Sequence, residues 1–478
     1  MQVIDVEEGR RTITALVSIS LVIVLAALLA ENVIELIFVC SSLCLIPLLM
    51  FATFKGLSGD RTYGTALSVI LLYVIGVNFR FREYTDKGID LQVGLKLAAV
   101  AGFAILSLIS WQAFLKRDKP ACFIIWFLFF TYMCFTALYA ENPLLSIIYS
   151  TSLLVGYVFL SHLCFYYGQE WTIKIALVAC FCLCLSSIVV YFVIPSFGRM
   201  SDWIGNSFTV TNRLQGVFGS SNGAGSSAAV GLLLTITSYN RGQKLSFFYR
   251  AVFVISMALC VLLSNNRMAI FGLIVAGSVL FLTAGNFARR LLFLCALALV
   301  GSAVLGLFAE AIFTGLSRSG SAEEIASGTG RTRIWEVVLE LWRDRPLFGL
   351  GYASAQQILP IHPKLFLAAA HTHNLYLEVL FSGGILGIAL FGSALITTIQ
   401  FSISHKAYRE LSLLSFFLVY GFTEPVIGGF ISFPTLCLLL AITLVASRPR
   451  FASSATSPIA LSGVRGGALR KLLRSGDV

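Results

Sequence analysis

Two histidines, His371 and His373, stand two residues apart just ahead of Asn374-Leu375-Tyr376-Leu377-Glu378. An imidazole titrates at about pH 6.5, so it can take a proton from a hydroxyl near neutral pH. Four arginines, Arg213, Arg267, Arg331 and Arg333, occur in polar stretches upstream. Guanidinium forks fit the oxygens of a phosphate or diphosphate. Glu378 and Glu424 fall within apolar stretches, a costly placement that marks an ion pair or a functional group. Together these residues are candidates for moving a proton and for holding an anion. His373, His371 and Glu378 are the catalytic candidates. Arg267, Arg331, Arg333, Arg213, Asn374 and Glu424 are read as substrate contacts.

Each residue also has a structural reading. His373 can stand at a helix N-terminus with Asn374 as the cap. Arg267 can snorkel to the membrane surface, Arg331 and Arg333 can anchor in headgroups, and Glu424 can pair with an arginine. His362, His371 and His373 form a poor metal set, because no cysteine or carboxylate at ligand spacing accompanies them and residues at i, i+2 do not share a helix face. No metal and no cofactor are expected.

The elements that must hold these residues are membrane helices. The chain of 478 residues is 58% hydrophobic and 12% charged, with a mean hydropathy of +0.88. Soluble domains carry about 25% charged residues. Segments of about 17–25 apolar residues can cross a bilayer, and fourteen are read, at 12–30, 33–54, 64–79, 91–115, 121–139, 144–167, 172–194, 224–239, 247–263, 268–284, 291–309, 375–400, 411–429 and 432–447. Three are short, so the fold expected is an all-α polytopic membrane protein with about 12–14 transmembrane helices. Membrane strands are not expected, because alternating segments separated by turns are absent.

The net charge of +11 follows topology rather than nucleic-acid binding. With the N-terminus inside, 21 of the 34 Lys and Arg fall on the inner side, as the positive-inside rule requires. Both termini are then expected in the cytoplasm. The first apolar segment follows Arg10-Arg11 and lacks a small-residue cleavage site, which reads as a retained signal-anchor. All eleven cysteines lie in apolar spans, so no disulfide framework is indicated.

One integral domain is expected over 1–447, with a large outer loop at 310–374, and a basic, Ser/Gly-rich disordered cytoplasmic tail over 448–478. Within the loop, Arg331 to Arg345 reads as an amphipathic helix with a stripe of Ile334, Val338, Leu341 and Trp342, stopped by Pro346. Three more polar elements share the outer side. They are Pro195 to Gly223, with Gly219-Ser220-Ser221-Asn222-Gly223 at its end, the turn Ser264-Asn265-Asn266-Arg267, and the connection around Phe430, preceded by Glu424-Pro425.

The order of motifs is distinctive. Asn265-Asn266-Arg267 opens a span; Arg331, Arg333 and Trp335 follow, then Arg345-Pro346 with Gly349 and Gly351. His373-Asn374 then leads to Gly383-Gly384-Ile385-Leu386-Gly387. Over residues 213–390 this resembles the superfamily of O-antigen ligases and O-antigen or exopolysaccharide polymerases. The resemblance implies a membrane glycosyltransferase of the bacterial inner membrane. Such an enzyme moves glycan from an undecaprenyl-pyrophosphate carrier to an acceptor sugar at the periplasmic face, without a metal, and the resemblance makes His373, which matches the histidine before the family's asparagine, the expected base. Polymerase is the leading reading, ligase acting on lipid A-core the alternative, and a multi-pass transporter or lipid flippase a more distant one. The partners implied are the lipid-linked glycan, membrane lipid, and a chain-length regulator and flippase of the same pathway.

Overall fold

The structure, a computed structural model, describes residues 62–79, 90–109, 115, 118–204, 207–238, 247–284, 290, 331–365 and 369–448. The expected spans at 12–30, 33–54 and 291–309, the first part of the outer loop, the chain termini and the tail from 449 onward lie outside them. The remaining eleven expected segments all contain helix. Five helices, at Leu91–Leu108, Ala121–Tyr139, Pro143–Tyr166, Gln169–Val193 and Leu375–Ser404, are long and apolar enough to cross a membrane. The chain is an all-α polytopic membrane protein. These five are counted among the described residues, where Gly64–Gly76, Arg250–Ser264, Arg267–Thr283 and Phe433–Ala446 are shorter apolar helices.

The first part of the bundle comprises α1 (Thr62–Gly76), α2 (Leu91–Ile109), α3 (Ala121–Phe135), α4 (Pro143–Tyr166) and α5 (Gln169–Val193). Then come α6 (Ser221–Ser238), α7 (Phe247–Ser264), α8 (Arg267–Ala284) and the loop helix α9 (Arg331–Trp342). The last three are α10 (Leu375–Ser404), α11 (Tyr408–Tyr420) and α12 (Phe433–Ala446). Helix α12 is apolar on every face and buried along nearly its whole length, packing against α4, α6 and α11. A helix surrounded by protein needs no polar face, which explains why this short segment is so hydrophobic. Polar side chains tie the spans together: Trp126 Nε1 donates to Thr398 Oγ1 at 2.9 Å, joining α3 to α10, and Tyr73 and Ser186 share a hydroxyl hydrogen bond of 2.9 Å between α1 and α5. Such interhelical bonds contribute roughly 0.6 kcal/mol each in membranes.

Helix α6 is rich in Gly, Ser and Ala, and this brings the site together. A Cβ at Gly225 would lie 2.6 Å from both the Asn266 and Ser264 side chains. Small residues let helix backbones approach closely, so the start of α6 sits against the turn between α7 and α8. A two-stranded antiparallel hairpin, β1 (Arg199–Ile204) and β2 (Ser207–Leu214), precedes α6. Its strands are a local ribbon outside the spans, not a membrane sheet.

Two expected boundaries move. The segment 411–429 is helical only to Tyr420, because Gly421, Pro425, Gly428 and Gly429 follow and none supports a helix interior. The chain instead folds back over the start of α10: Leu375 N donates to Gly421 O at 2.7 Å, and Asn374 Nδ2 donates to Phe422 O at 3.1 Å. The loop helix ends at Trp342, not Arg345, since the residue before a proline is pushed out of the helical region. Its buried stripe also differs. Val337 and Val338 are buried with Ala355, Leu359 and Phe381, while Ile334 and Leu341 pack beside them. Trp342 stands outside that cluster and donates from Nε1 to Pro346 O at 3.2 Å.

Helix α10 is broken at Gly384, where φ is 62° and ψ is −159°. The freed backbone groups meet the segment after Pro346. Leu350 N donates to Phe381 O at 2.8 Å and Gly351 N to Ser382 O at 3.0 Å, while Ile385 N donates to Pro346 O at 2.9 Å and Leu386 N to Leu347 O at 3.2 Å. A break in a membrane helix is tolerated where protein satisfies the freed groups. The Gly349/Gly351 motif and the Gly383-Gly384 motif are therefore two halves of one joint. A Cβ at Gly349 would lie 2.6 Å from Gly384 N, so the close approach requires glycine.

Candidate active site

Glu424 is the centre of the site. Its Oε1 accepts from Asn222 Nδ2 at 2.6 Å and from Arg331 Nη2 at 2.9 Å, and lies 3.9 Å from His373 Nδ1. The Arg331 and Glu424 side chains are 22% and 15% exposed, so the pair is screened less than a surface pair and remains open to a ligand. Four separate elements thus meet at one carboxylate oxygen: the start of α6, the start of α9, the residue before the Asn374 cap, and the turn after α11.

Asn222 extends the cluster. Arg213 at the end of β2 donates from Nη2 to Asn222 Oδ1 at 3.3 Å and from Nε to Ser264 O at 3.3 Å. Asn266 Nδ2 donates to Asn222 O at 3.1 Å, as does the Tyr420 hydroxyl at 3.0 Å. Asn222 and Arg331 therefore donate to Glu424 directly, and Arg213 reaches it through Asn222. Arg267 begins α8 directly after Asn266 and is half-buried. Arg333, two residues beyond Arg331, is exposed. Of the four arginines singled out, Arg213 and Arg331 reach the Glu424 network through hydrogen bonds, and Arg267 adjoins it in sequence.

The histidine loop is held from below. Thr372, between the two histidines, is fully buried. Its carbonyl accepts from Trp335 Nε1 at 2.9 Å. Its amide donates to Glu378 Oε2 at 3.3 Å, and its hydroxyl oxygen lies 2.8 Å from that same atom. Asn374 caps α10, accepting from the amides of Tyr376 and Leu377. With Nδ2 given to Phe422 O, its amide group is committed to backbone. The clamp leaves His373 in the left-handed region at φ 51°, a conformation a non-glycine residue adopts at a cost.

The two imidazoles face different surroundings. His373 Nδ1 is buried without a hydrogen-bond partner among the described residues, and Glu424 is the group it faces. The ring of His371 lies 6.3 Å away, nearly perpendicular. Burial, reinforced by His373, holds the His371 pKa down to about 4, with Glu424 acting weakly in the opposite direction. His371 is thus neutral at physiological pH. Glu378 is 1% exposed and lies beneath Thr372, where a substrate does not reach it. Sequence reasoning missed Asn222, Asn266 and Tyr420. Asn222 had a signal in the Gly219–Gly223 motif, but asparagine between serine and glycine reads first as a turn residue.

An apolar groove of about 670 Å³ between the end of α3 and the start of α4, lined by Cys134, Leu138, Leu144 and neighbours, includes none of these residues. Among the described residues no group of three or more His, Cys, Asp or Glu converges as a metal site would require.

No curated protein matches the chain. A family model does match part of it, and that part includes Arg267, Arg331, Arg333, His371, His373, Asn374 and Glu378 but stops short of Arg213, Asn222 and Glu424. Residues 252–392 of the chain are similar to the O-antigen ligase family, which supports a place in the superfamily of O-antigen ligases and polymerases.

Proposed function

We propose that the protein is a polymerase of a cell-surface polysaccharide, moving glycan from an undecaprenyl-pyrophosphate carrier to an acceptor sugar hydroxyl. The observation that carries this reading is the His373–Glu424–Arg331 arrangement, with an unpartnered buried Nδ1 on the histidine and a guanidinium on the same carboxylate. Glu424 favours a proton on Nδ1, which leaves Nε2 as the basic nitrogen, the logic by which a carboxylate orients a catalytic imidazole. His373 then takes the acceptor hydroxyl's proton as its oxygen attacks the anomeric carbon. The bond between that carbon and the diphosphate oxygen breaks, and the diphosphate leaves with the electron pair. Arg331, Arg213 and Arg267 are the groups suited to its growing charge. A single displacement of this kind inverts the anomeric centre.

Within this reading the site faces the periplasm, both termini lie in the cytoplasm, and the membrane is the inner one. The charge distribution and the gathering of polar residues at one end of the bundle support that orientation. Ligation to lipid A-core is a second reading, favoured by the description of the family that matches residues 252–392. Both reactions use the same base and the same leaving group.

The test is glycan transfer by purified protein given lipid-linked repeat units, with and without lipid A-core. Chain extension without core is expected, and transfer that requires core establishes the ligase instead. His373→Ala should reduce either reaction about 100- to 10,000-fold, the range for a lost general base. Undiminished transfer by this variant would sink the assignment of the base.

A further inference from the structure

Thr372 Oγ1 has one proton, yet it lies between two oxygens that are ordinarily acceptors. The Asn374 carbonyl oxygen is 2.9 Å away and Glu378 Oε2 is 2.8 Å away. A hydroxyl can donate to only one of them. If Glu378 were ionised, one short contact would set lone pair against lone pair. If Glu378 carries a proton on Oε2, the chain closes: Oε2–H donates to Thr372 Oγ1, and Thr372 Oγ1–H donates to Asn374 O. The Thr372 amide, 3.3 Å from Oε2, then donates to that oxygen's remaining lone pair.

The surroundings agree with a neutral acid. Oε1 is buried and has no hydrogen-bond partner among the described residues. An unpartnered carbonyl oxygen is costly, and an unpartnered carboxylate oxygen much more so. No described lysine or arginine forms an ion pair with Glu378. The titratable groups on the segments around it are Tyr352, His371 and His373. The Tyr352 hydroxyl is occupied by Gly429 O and Gly428 N, and neither histidine forms an ion pair with Glu378. Gly428, at φ 113°, packs so closely that a Cβ there would overlap the carboxyl group. Water is excluded from that side.

We propose that Glu378 is a positioning residue held as a neutral carboxylic acid, whose proton locks Thr372 and so fixes the backbone that presents His371 and His373. The chain Glu378–Thr372–Asn374 joins the first turn of α10 to both ends of the histidine segment. A carboxylate could not make both contacts, so the protonation state is part of the site's geometry. The effect on catalysis rests on the reading of His373 as base, whereas the protonation itself does not.

Two measurements test the proposal separately. Infrared difference spectra between the protein and its Glu378→Gln variant at pH 7 should show loss of one protonated-carboxyl carbonyl band, shifted by carbon-13 labelling of glutamate. In glycan transfer, Glu378→Ala should reduce kcat about 100-fold, as expected for a catalytic group displaced by about 1 Å, with KM little changed. Glu378→Gln, whose amide can donate to Thr372 Oγ1, should restore most of that loss. The proposal is overturned if the infrared difference lacks the band, or if the glutamine variant is as impaired as the alanine one. Should the alanine variant fail to fold, the glutamine variant and the band still decide. If the protein has no glycan-transfer activity, the functional reading fails while the infrared result still settles the proton.

Discussion

Arg409 and Arg331 both bind carboxylates, at opposite ends of the bundle. Arg409 is 5% exposed and gives Nη2 to Glu410 Oε1 at 2.9 Å and Nη1 to Glu170 Oε1 at 3.0 Å. Glu410 is fully buried, and the Arg409 Nε also points to it at 3.2 Å. Arg331 gives one nitrogen to Glu424, whose same oxygen also serves Asn222 and faces His373. In the first grouping the Arg409–Glu410 pair is enclosed, with Glu170 reaching it from a more exposed position. The second is crowded onto one oxygen, partly open, and borders an imidazole nitrogen with no partner. Matched burial holds helices in place, whereas a half-satisfied cluster keeps binding capacity in reserve for a ligand.

The two groupings should therefore fail differently. Arg409→Ala takes the guanidinium away from the buried Glu410, and should lower stability by about 3–5 kcal/mol. Denaturation in detergent would read this, and the activity per folded molecule should stay near normal. Glu424→Gln should do the reverse. Thermal stability should stay near that of the parent, while transfer should fall about 10- to 100-fold, the value of about 1.5–3 kcal/mol for hydrogen bonds to a charged group. A large stability loss in the second variant would erase the distinction.

Two smaller effects sharpen it. Arg331→Ala should reduce transfer about tenfold, whereas Arg333→Ala, removing an exposed charge, should cost less than about fivefold. Equal losses would mean that the Glu424 contact does not select between them. The smallest effect concerns pH. The His371 pKa is lowered from 6.5 to about 4 in the fold, so the unfolded chain takes up the proton first. Stability linked to this group is complete above about pH 6.5 and is lost as pH falls through about 4. Melting temperatures measured between pH 7 and pH 4 should therefore fall less for His371→Gln than for the parent protein; an identical decline in both would contradict it.

Much of the architecture was readable in the residues. Hydropathy placed α3, α4, α5 and α10 within a few residues of their observed limits, because lipid-facing and buried surfaces are both apolar. Hydropathy misjudged the end of α11 for the same reason: Phe422, Val426 and Ile427 are apolar, yet Gly421 and Pro425 end the helix. The site was legible as a list of residues and less so as an arrangement. Charge distribution assigned Arg213, Arg331 and Glu424 to one side of the membrane. It contained nothing to identify Asn222 as the residue between Arg213 and Glu424, since a short neutral amide has no signature apart from its neighbours. The pairing of Gly349 with Gly384 was also invisible, because each glycine motif reads alone as a local turn.

The joint between those motifs has a consequence in time. Amides in a water-exposed loop ordinarily exchange with solvent quickly, because local opening there costs little. The amides of Leu350 and Gly351 instead donate to the carbonyls of Phe381 and Ser382 in a membrane helix, and Ile385 and Leu386 return two bonds to the loop. Opening one set means opening the other. Deuterium uptake at Leu350 and Gly351 should follow the slow clock of α10, so this part of the loop shares the lifetime of the helix on which it rests.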